Sequence, residues 1–312
     1  MSIHLAGFQI GHATDEEFHT GCTVILCPPQ TIGGVDVRGP APGGRETALL
    51  APDKPVHYVN AVVLTGGSAF GLATADGVMQ YLSERNIGHY TPVRPIPIVP
   101  AAVVFDFSFS RGQKLPDATM GYAAAQAAQA DMVMQGNIGA GAGVTIGKWG
   151  GFEYMMKGGL GAASFAVGEL VVGAVAVTNA VGDVVAENGS VLAGARRVDG
   201  SWLADAYPFR FISEERLPLS GTNTTLVAIW TNAQLSAPEV DRLAQRAHDG
   251  MAIAIRPVHA SHDGDTAFAL ASGQVAAPFD LVANMGVTAV TTAIRNSVLH
   301  AASIGPIRGL AG

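Results

Sequence analysis

The chain has 312 residues, of which 48% are hydrophobic and only 14% are charged, so it can bury a sizeable core as one large domain or two small ones. The formal net charge is −7, with only 18 Lys and Arg residues and no basic run, which argues against nucleic acid as a partner. The 39 glycines have no collagen-like period and therefore indicate closely packed backbones and shaped loops.

The first residues and the apolar runs carry no targeting or membrane signal. Residues 1–12 lack a basic segment followed by an apolar stretch, so we expect no secretory signal and a cytoplasmic protein. The most apolar run, 167–185, contains polar residues and is too polar for a membrane span. Cys22 and Cys27 lie in a strand-like context, and we expect buried thiols rather than a disulfide or a metal pair.

The N-terminal part begins with strand and turn signals. A strand is predicted at 22–26, followed by an irregular Pro- and Gly-rich stretch at 33–45. An apolar run at 61–64 enters a glycine turn at 65–71, and an amphipathic helix then extends to about Glu84. This order of strand, glycine turn and helix predicts a mixed α/β half.

The central part predicts one more helix and then a meander. An Ala-rich helix at 118–130 precedes a second glycine loop at 136–143. Beyond it, alternating segments near Phe152, Ala162 and Val171 predict successive strands.

The last third begins with a change in composition. Residues 182–223 are polar and charged, with Glu214-Glu-Arg216 among them, and are the best candidate for a linker. A strand at 224–230 is strongly predicted because its residues are β-branched and aromatic. Ser236 and Glu239 form a capping box for a helix to about 255. A strand at 266–270 and a helix at 278–302 complete the chain.

Two common catalytic motifs are incomplete in this chain. The segment Gly66-Gly-Ser68-Ala-Phe70 lacks the second glycine that a nucleophile elbow needs. Gly147-Lys148 resembles the end of a phosphate-binding loop, but Ala142 and Trp149 replace required residues. The residues therefore disfavour both a serine-hydrolase elbow and a nucleotide site.

The segment 259–265 concentrates charged and imidazole side chains. His259, His262, Asp263 and Asp265 are plausible metal ligands, although their spacing matches no established metal site. A turn between a helix and a strand explains the two aspartates around a glycine equally well. The carboxylates could also hold a cation such as a protonated amine, provided that an amine lies nearby.

A threonine-rich segment follows the polar region and begins the strongly predicted strand. A threonine hydroxyl is a poor nucleophile unless a base takes its proton, and the α-amino group of an N-terminal threonine can do so at neutral pH. Exposing that amine requires a cut before the threonine. The local sequence does not choose among Thr222, Thr224 and Thr225, and an ordinary turn into a strand is the alternative.

Seven segments in order along the chain resemble the DmpA-type aminopeptidases and, more closely, the 6-aminohexanoate-oligomer (nylon) hydrolases. The matching segments are Gly33-Gly-Val-Asp-Val-Arg-Gly-Pro-Ala-Pro-Gly, Leu64-Thr-Gly-Gly-Ser-Ala-Phe-Gly-Leu72, Gly136-Asn-Ile-Gly-Ala-Gly, Met156-Lys-Gly-Gly-Leu-Gly161, Asn179-Ala-Val-Gly-Asp183, Thr222-Asn-Thr-Thr225 and His262-Asp-Gly-Asp265. The resemblance implies an α/β (α+β) fold, a four-layer αββα sandwich of the DmpA and ornithine acetyltransferase type, as one domain.

The resemblance also implies an N-terminal-nucleophile mechanism. It predicts self-cleavage between Asn223 and Thr224, which gives an α-chain of residues 1–223 and a β-chain of residues 224–312. Thr224 would then be the nucleophile and its new amine the base. Asn179 would hold the oxyanion through its side-chain amide.

Four further residues are assigned by the same resemblance. Asp263 and Asp265 would orient the amine and the hydroxyl of Thr224, and Lys157 would supply positive charge next to the site. Lys148 is a rival for the role of Lys157. Tyr154 matches a tyrosine that assists oxyanion binding in the aminopeptidase branch, and a plain core aromatic is the alternative.

The implied activity is hydrolysis of amide bonds in small peptides or 6-aminohexanoate oligomers, with no metal or organic cofactor and as a homotetramer. Many aminopeptidases of this group have a serine nucleophile and a Ser-x-Glu pair, whereas this chain has Thr224 and Asp263-Gly-Asp265, a combination that resembles the nylon-oligomer branch. Alternatives are a β-peptidyl or D-amino-acid amidase, acyl transfer to an amine as in ornithine acetyltransferases, and an uncut, non-catalytic binding protein.

Overall fold

Two five-stranded β-sheets lie at the centre of the molecule in a computed structural model that describes residues 3–212 and 222–311. Sheet A has the strand order β1 (Gln9–Asp15), β2 (Thr20–Leu26), β5 (Ala61–Thr65), β6 (Ala101–Val103) and β4 (Gly44–Arg45). Sheet B has the order β3 (Ile32–Val37), β15 (Thr266–Val275), β13 (Thr224–Ala233), β10 (Leu170–Asn179) and β9 (Leu160–Val167).

Two small sheets and the helices surround this pair. β7 (Thr145–Ile146) pairs with β8 (Met156–Lys157), and β11 (Asp183–Val185) lies between β12 (Val191–Ala193) and β14 (Ile255–Arg256). The α-helices are α1 (Thr74–Ser83), α2 (Phe107–Ser110), α3 (Ala118–Gln126), α4 (Ala237–Ala254) and α5 (Phe279–Leu299). Short 3₁₀ helices occur at Thr47–Leu50, Ser68–Ala73, Gly139–Gly141, Lys148–Gly150, Phe152–Tyr154 and Leu203–Asp205.

The side chains of each strand alternate between two apolar cores, as the pleat of a β-strand requires. On β13, Leu226 and Trp230 join the core between the two sheets, whereas Val227 and Ile229 join the core formed with α4 and α5. Sheet A alternates likewise, and its outer face packs on α1 and α3. The layers therefore run helix, sheet, sheet, helix, which confirms the predicted αββα sandwich.

The pairing of β13 determines where its first residue lies. β13 runs antiparallel to β10, with Thr224 opposite Asn179, and parallel to β15, with Leu226 opposite Thr266. Because β13 is the middle strand of sheet B, Thr224 begins a strand that is paired on both sides. Any group that acts on Thr224 must come from the ends of β10 and β15 or from the loops above them.

The structure differs from the sequence-based expectation in the glycine-rich stretch 33–45. Residues 32–37 form β3 instead of an irregular loop, and residues 44–45 form β4. The glycines are needed inside β3 because a Cβ on Gly34 would lie 2.9 Å from the backbone of Val240 in α4. The composition that indicated a loop therefore reflects close packing of a helix on a strand.

Three other expectations need correction. The segment near Phe152 is a 3₁₀ helix and not a strand, and the Ala-rich helix ends at Gln126. The segment expected to be a linker contains β11 and β12 and packs a buried Leu203, while Glu214-Glu-Arg216 lies outside the described residues. The other predicted strands and helices are confirmed, with ends that differ by a few residues.

Neither the cysteines nor the described helices depart from the expectations for a disulfide or a membrane span. Cys22 is buried between sheet A and its helices, Cys27 is partly buried, and neither forms a disulfide. Within residues 3–212 and 222–311, no helix is both long enough and apolar enough to cross a bilayer.

Candidate active site

The peptide bond between Asn223 and Thr224 lies at the buried start of β13. Thr224 is 5% exposed, and its hydroxyl donates a hydrogen bond to the carbonyl oxygen of Asn223. The same oxygen accepts the backbone N–H of Gly264 at 2.9 Å. The carbonyl group before Thr224 is thus in contact with the Thr224 hydroxyl and is held by a main-chain donor.

Gly264 can hold this carbonyl only because it has no side chain. A Cβ at this position would lie 2.7 Å from Thr224 Oγ1 and 2.8 Å from the carbonyl oxygen of Ala41, closer than real Cβ contacts. Asn223 and Asp263 form a parallel β-bridge that brings the two segments together. The glycine between the two aspartates is therefore required by the close approach to Thr224.

Asn179 ends β10 directly opposite Thr224. Its side-chain Nδ2 donates to the carbonyl oxygens of Thr222 at 3.1 Å and Phe105 at 3.0 Å. Its Oδ1 accepts the backbone N–H of Thr145 at 3.1 Å. Because Oδ1 is held by a donor, the amide N–H groups point towards the chain just before the Asn223–Thr224 bond.

Lys148 contacts the same Thr222 carbonyl group as Asn179 does. Its Nζ donates to the main-chain oxygen and to Oδ1 of Asn179, both at 3.0 Å, and to the carbonyl oxygen of Thr222 at 3.1 Å. Burial lowers the pKa of Lys148 to about 7, although the nearby carboxylates of Asp263 and Asp265 act in the opposite direction. Lys148 is thus a buried amine with a pKa near neutrality beside the start of β13.

Lys157 is equally buried but makes different contacts. Its Nζ donates to the carbonyl oxygens of Gly141 at 3.0 Å, Val144 at 3.0 Å and Gly158 at 2.8 Å. Burial lowers its pKa to about 7, and the charged neighbour that opposes this shift is Asp106. Of the two lysines considered from sequence, the structure brings Lys148 into contact with Asn179 and Thr222, and it places Lys157 under the glycine loop.

Asp265 holds the chain just after Thr224. Its Oδ1 accepts the backbone N–H of Thr225 at 2.6 Å. Its Oδ2 accepts the backbone N–H of His259 at 3.1 Å and lies 2.8 Å from Nδ1 of the same residue. Asp265 therefore fixes the main chain at the start of β13 through the N–H of Thr225.

Asp263 is buried beside it and is less well satisfied. Its Oδ2 accepts the backbone N–H of Ala260 at 2.7 Å, whereas Oδ1 is buried with no hydrogen-bond partner among the described residues. Burial and, next, the charge of Asp265 raise the pKa of Asp263 to about 7, against a smaller opposing effect of Lys148. At neutral pH this carboxyl group can therefore either hold or release a proton.

Tyr154 lies in an apolar cluster away from these contacts. It packs with Trp149 and Leu203, and its carbonyl oxygen accepts the backbone N–H of Arg196. The assignment of Tyr154 as a residue that assists oxyanion binding stays a prediction.

A cavity of about 90 Å³ adjoins Asn223, on the acyl side of the Asn223–Thr224 bond. Trp149, Val181, Pro257 and His262 contribute to its lining. Both polar atoms of the Asn223 side chain are buried without a hydrogen-bond partner in the described part of the chain.

The segments named from the sequence lie together in the structure, but two of their contacts were not predicted. These are the Gly264 N–H on the Asn223 carbonyl and the His259 ring on Asp265, both from the segment 259–265. The two aspartates around one glycine were the available signal for Gly264. Among residues 3–212 and 222–311, no group of three or more His, Cys, Asp or Glu side chains is arranged to hold a metal ion.

Solved structures share this arrangement of layers. A beta-aminopeptidase from a Burkholderia species superposes with a TM-score of 0.72 at 21% identity, covering 100% of this chain and 92% of that one. The L-aminopeptidase D-Ala-esterase/amidase of Ochrobactrum anthropi, described as a variant of the Ntn-hydrolase fold, gives 0.72 at 18% identity over 96% and 88% of the two chains. The fold is thus that of Ntn-hydrolase aminopeptidases.

Sequence comparison identifies the family. The model of peptidase family S58 matches residues 3–310, and the chain belongs to this family. It is 42% identical to an uncharacterized aminopeptidase of Mycobacterium leprae over 88% of this chain and 78% of the relative. It is 33% identical to the 6-aminohexanoate-oligomer endohydrolase of Paenarthrobacter ureafaciens over 89% and 76%. The protein is therefore an amide-bond hydrolase of the S58 family.

Proposed function

We propose that the chain cuts itself between Asn223 and Thr224 and that the freed Thr224 then hydrolyses amide bonds in small peptides or oligoamides. The observation that carries this proposal is the environment of the Asn223 carbonyl group. Its oxygen is in contact with the Thr224 hydroxyl and is held by the N–H of Gly264. A hydroxyl group next to a fixed carbonyl is the starting arrangement for attack on that carbonyl.

In the proposed cut, Thr224 Oγ1 attacks the Asn223 carbonyl carbon, and the C–N bond breaks to give an ester and the free α-amino group of Thr224. Water then hydrolyses the ester, which releases the carboxyl group of Asn223. During the attack negative charge develops on the carbonyl oxygen, where the Gly264 N–H already donates a hydrogen bond at 2.9 Å. Such a preorganised donor stabilises the charge without rearrangement.

The ester of the cut is chemically equivalent to the acyl-enzyme of the later reaction. In each turnover, Thr224 would attack the substrate amide, the amine product would leave, and water would release the acid. The new α-amino group of Thr224 would act as the base, since its ordinary pKa of about 7.7 to 8.0 suits proton transfer at neutral pH. Asn179 Nδ2 donates to the Thr222 carbonyl in the uncut chain, and departure of that carbonyl would free it as a second oxyanion donor.

Lys148, Asp263 and Asp265 would control protons and orientation around Thr224. Lys148 and Asp263 both have a pKa of about 7, so each can exchange a proton near neutral pH. Asp265 holds the N–H of Thr225 and so fixes the main chain that carries the nucleophile. Lys157 and Tyr154 are left out of the proposed chemistry because their contacts lie elsewhere.

The substrate class follows from the relatives and the cavity. One relative is named as an aminopeptidase and another as a hydrolase of 6-aminohexanoate oligomers, and the largely apolar cavity beside Asn223 would receive the acyl side. A panel of small peptide amides, β-amino-acid amides and 6-aminohexanoate oligomers distinguishes the possible acyl groups. The resemblance also predicts a homotetramer, which sedimentation of the purified protein would test.

The cut is tested by mass spectrometry and denaturing electrophoresis of the purified protein. The 32.0 kDa chain should give fragments of about 23 and about 9 kDa, the smaller beginning with Thr224. Thr224→Ala should stay intact, folded and inactive, whereas Thr222→Ala keeps a threonine at the proposed cut and serves as a matched control. An intact wild-type chain with amidase activity, or an active Thr224→Ala variant, would refute the proposal.

A further inference from the structure

A histidine lies behind the carboxylate that holds the start of β13. Asp265 uses Oδ1 for the Thr225 N–H at 2.6 Å and uses Oδ2 for His259 alone, through the backbone N–H at 3.1 Å and Nδ1 at 2.8 Å. The two oxygens of one carboxylate therefore join His259 to the main chain next to the nucleophile. The carboxyl group cannot rotate without breaking contacts on both sides.

The contact between the ring and the carboxylate sets the tautomer of His259. A carboxylate is an acceptor, so Nδ1 must carry the proton and donate it to Asp265 Oδ2. The other ring nitrogen, Nε2, is buried and has no hydrogen-bond partner within the described ranges. The ring is thus tied by one nitrogen only, and that bond is directed at Asp265.

A second histidine supports this ring from α4. The ring of His248 packs edge-on against His259 with centroids 4.8 Å apart, and its Nε2 lies 3.1 Å from the carbonyl oxygen of Asp36. Burial lowers the pKa of His248 to about 4, so this ring is neutral at physiological pH. His248 therefore packs against the His259 ring and limits its orientation.

The backbone at His259 has a conformation that restricts which residues can stand there. Its φ is +54°, in the left-handed region that Asn, Asp and Gly tolerate and that β-branched or bulky residues avoid. Asn places an N–H donor where His has Nδ1–H, and Asp places an acceptor of the same shape there. The site thus allows a test of the donor with little change in the backbone.

We propose that His259 is the positioning residue for Asp265: its Nδ1–H fixes the carboxylate that holds Thr225 and so aligns Thr224 for attack. This inference rests on the self-cleavage and hydrolysis proposed above. The hydrogen bonds of His259 within the site go to Asp265 Oδ2 and not to Thr224 or the Asn223 carbonyl, so its effect is exerted through Asp265.

The decisive experiment compares His259→Asn with His259→Asp in the full-length chain. We expect the Asn variant to cut itself at a rate within about fivefold of wild type, because it retains the donor. The Asp variant should be slower by on the order of 10- to 100-fold at neutral pH, because it places a second acceptor against Asp265 and misaligns the nucleophile. In the matured Asn variant and wild type, KM should agree within about threefold.

Two further measurements separate positioning from folding. Thermal unfolding identifies any variant that is not folded at the assay temperature, and His259→Gly, which tolerates the backbone and carries neither donor nor charge, replaces the Asp variant in that case and should also cut slowly. In ¹⁵N-histidine-labelled Thr224→Ala, NMR should show a proton on His259 Nδ1.

The outcomes are distinct. Equal rates for folded Asn and Asp (or Gly) variants, or a neutral His259 with its proton on Nε2, would overturn the role of His259 while the self-cleavage of wild type stands. A wild-type chain that is never cut would instead refute the proposed function.

Discussion

Lys148 and Lys157 are buried to almost the same extent, 2% and 1% exposed, and burial lowers the pKa of each to about 7. Their acceptors differ. Lys148 donates to Asn179 and to the Thr222 carbonyl beside the start of β13. Lys157 donates to the carbonyls of Gly141, Val144 and Gly158. Burial and pKa therefore do not distinguish the two lysines, whereas the identity of their acceptors does.

The carboxylates near the two lysines differ in whether both of their oxygens are hydrogen-bonded. Asp106, near Lys157, accepts the Thr20 hydroxyl at 2.6 Å and the Gly67 N–H at 2.8 Å, so both of its oxygens are bonded. Asp263, near Lys148, has a buried oxygen with no partner in the described chain. An unbonded buried carboxyl oxygen is costly to keep, so Asp263 differs from Asp106 in having an acceptor that is free to take a new donor.

Replacing Lys148 should have the largest effect. Lys148→Met removes the amine that donates to the Asn179 and Thr222 oxygens, and we expect self-cleavage to slow by about 1,000-fold, as for the loss of a group that transfers protons. Electrophoresis of the purified variant over several days measures the uncut fraction. A Lys148→Met chain that is cut as fast as Lys157→Met would remove the basis of the comparison.

Gly264→Ala should slow self-cleavage less than Lys148→Met does, but still strongly. Its Cβ would lie 2.7 Å from Thr224 Oγ1 and would displace the N–H from the Asn223 carbonyl, so we expect cleavage to slow by about 100-fold. Gly168→Ala is the control for a general cost of adding a methyl group to a glycine: its Cβ meets nothing within 4 Å, and its φ of +59° confines any cost to backbone strain at that turn. Normal cleavage in Gly264→Ala would show that the close approach is not required.

Lys157→Met should instead lower stability. The change leaves Asp106 without its cationic neighbour and removes the ammonium donor from three carbonyl groups, of which Val144 keeps the backbone N–H of Gly158. We expect the free energy of unfolding to fall by about 3 kcal/mol. Below its unfolding temperature, the variant should cut itself within about tenfold of wild type. Urea unfolding, performed in the uncut Thr224→Ala background, measures the first quantity, and a loss of cleavage without loss of stability would contradict this assignment.

A dependence of stability on pH is also expected. The pKa of Asp263 is raised from 3.8 to about 7 in the folded chain, so between about pH 4 and pH 7 the folded state keeps a proton that the unfolded state has lost. Stability therefore falls as pH rises through this window, and the contribution is constant outside it. In the Thr224→Ala background, Asp263→Asn should flatten this fall in thermal unfolding midpoints. An unchanged slope would show that Asp263 does not hold the proton.

Most strands and helices could be predicted from the sequence because their signals are local, whereas the αββα layers were implied by the family resemblance. The strand at β13 is marked by β-branched and aromatic residues, and the capping box of Ser236 and Glu239 is present as expected. β3 could not be predicted, because its Gly34 is required by the contact with α4 and does not follow the residue preferences of a strand. A glycine that is needed by a distant helix has no local signal.

The candidate site divides in the same way. Thr224, Asn179 and the two aspartates were named from motifs, and the structure brings them around one peptide bond. The ranking of Lys157 above Lys148 came from the resemblance and from its neighbouring glycines, which do allow close approach, but to the carbonyls of Gly141, Val144 and Gly158 and not to those beside β13. Which oxygen a buried lysine reaches is decided by the packing of two sheets and cannot be obtained from the residues beside it.

The central position of β13 has a consequence for how the molecule is made. A cut before Thr224 would leave sheet B with β15 and β13 from one polypeptide, between β3 on one side and β10 and β9 on the other from a second polypeptide. The uncut chain can fold as a unimolecular process, but the cut pair could refold only by bimolecular encounter, at a rate that depends on concentration. Heat inactivation of the mature form would then be governed by an unfolding barrier crossed once, whereas the precursor could return.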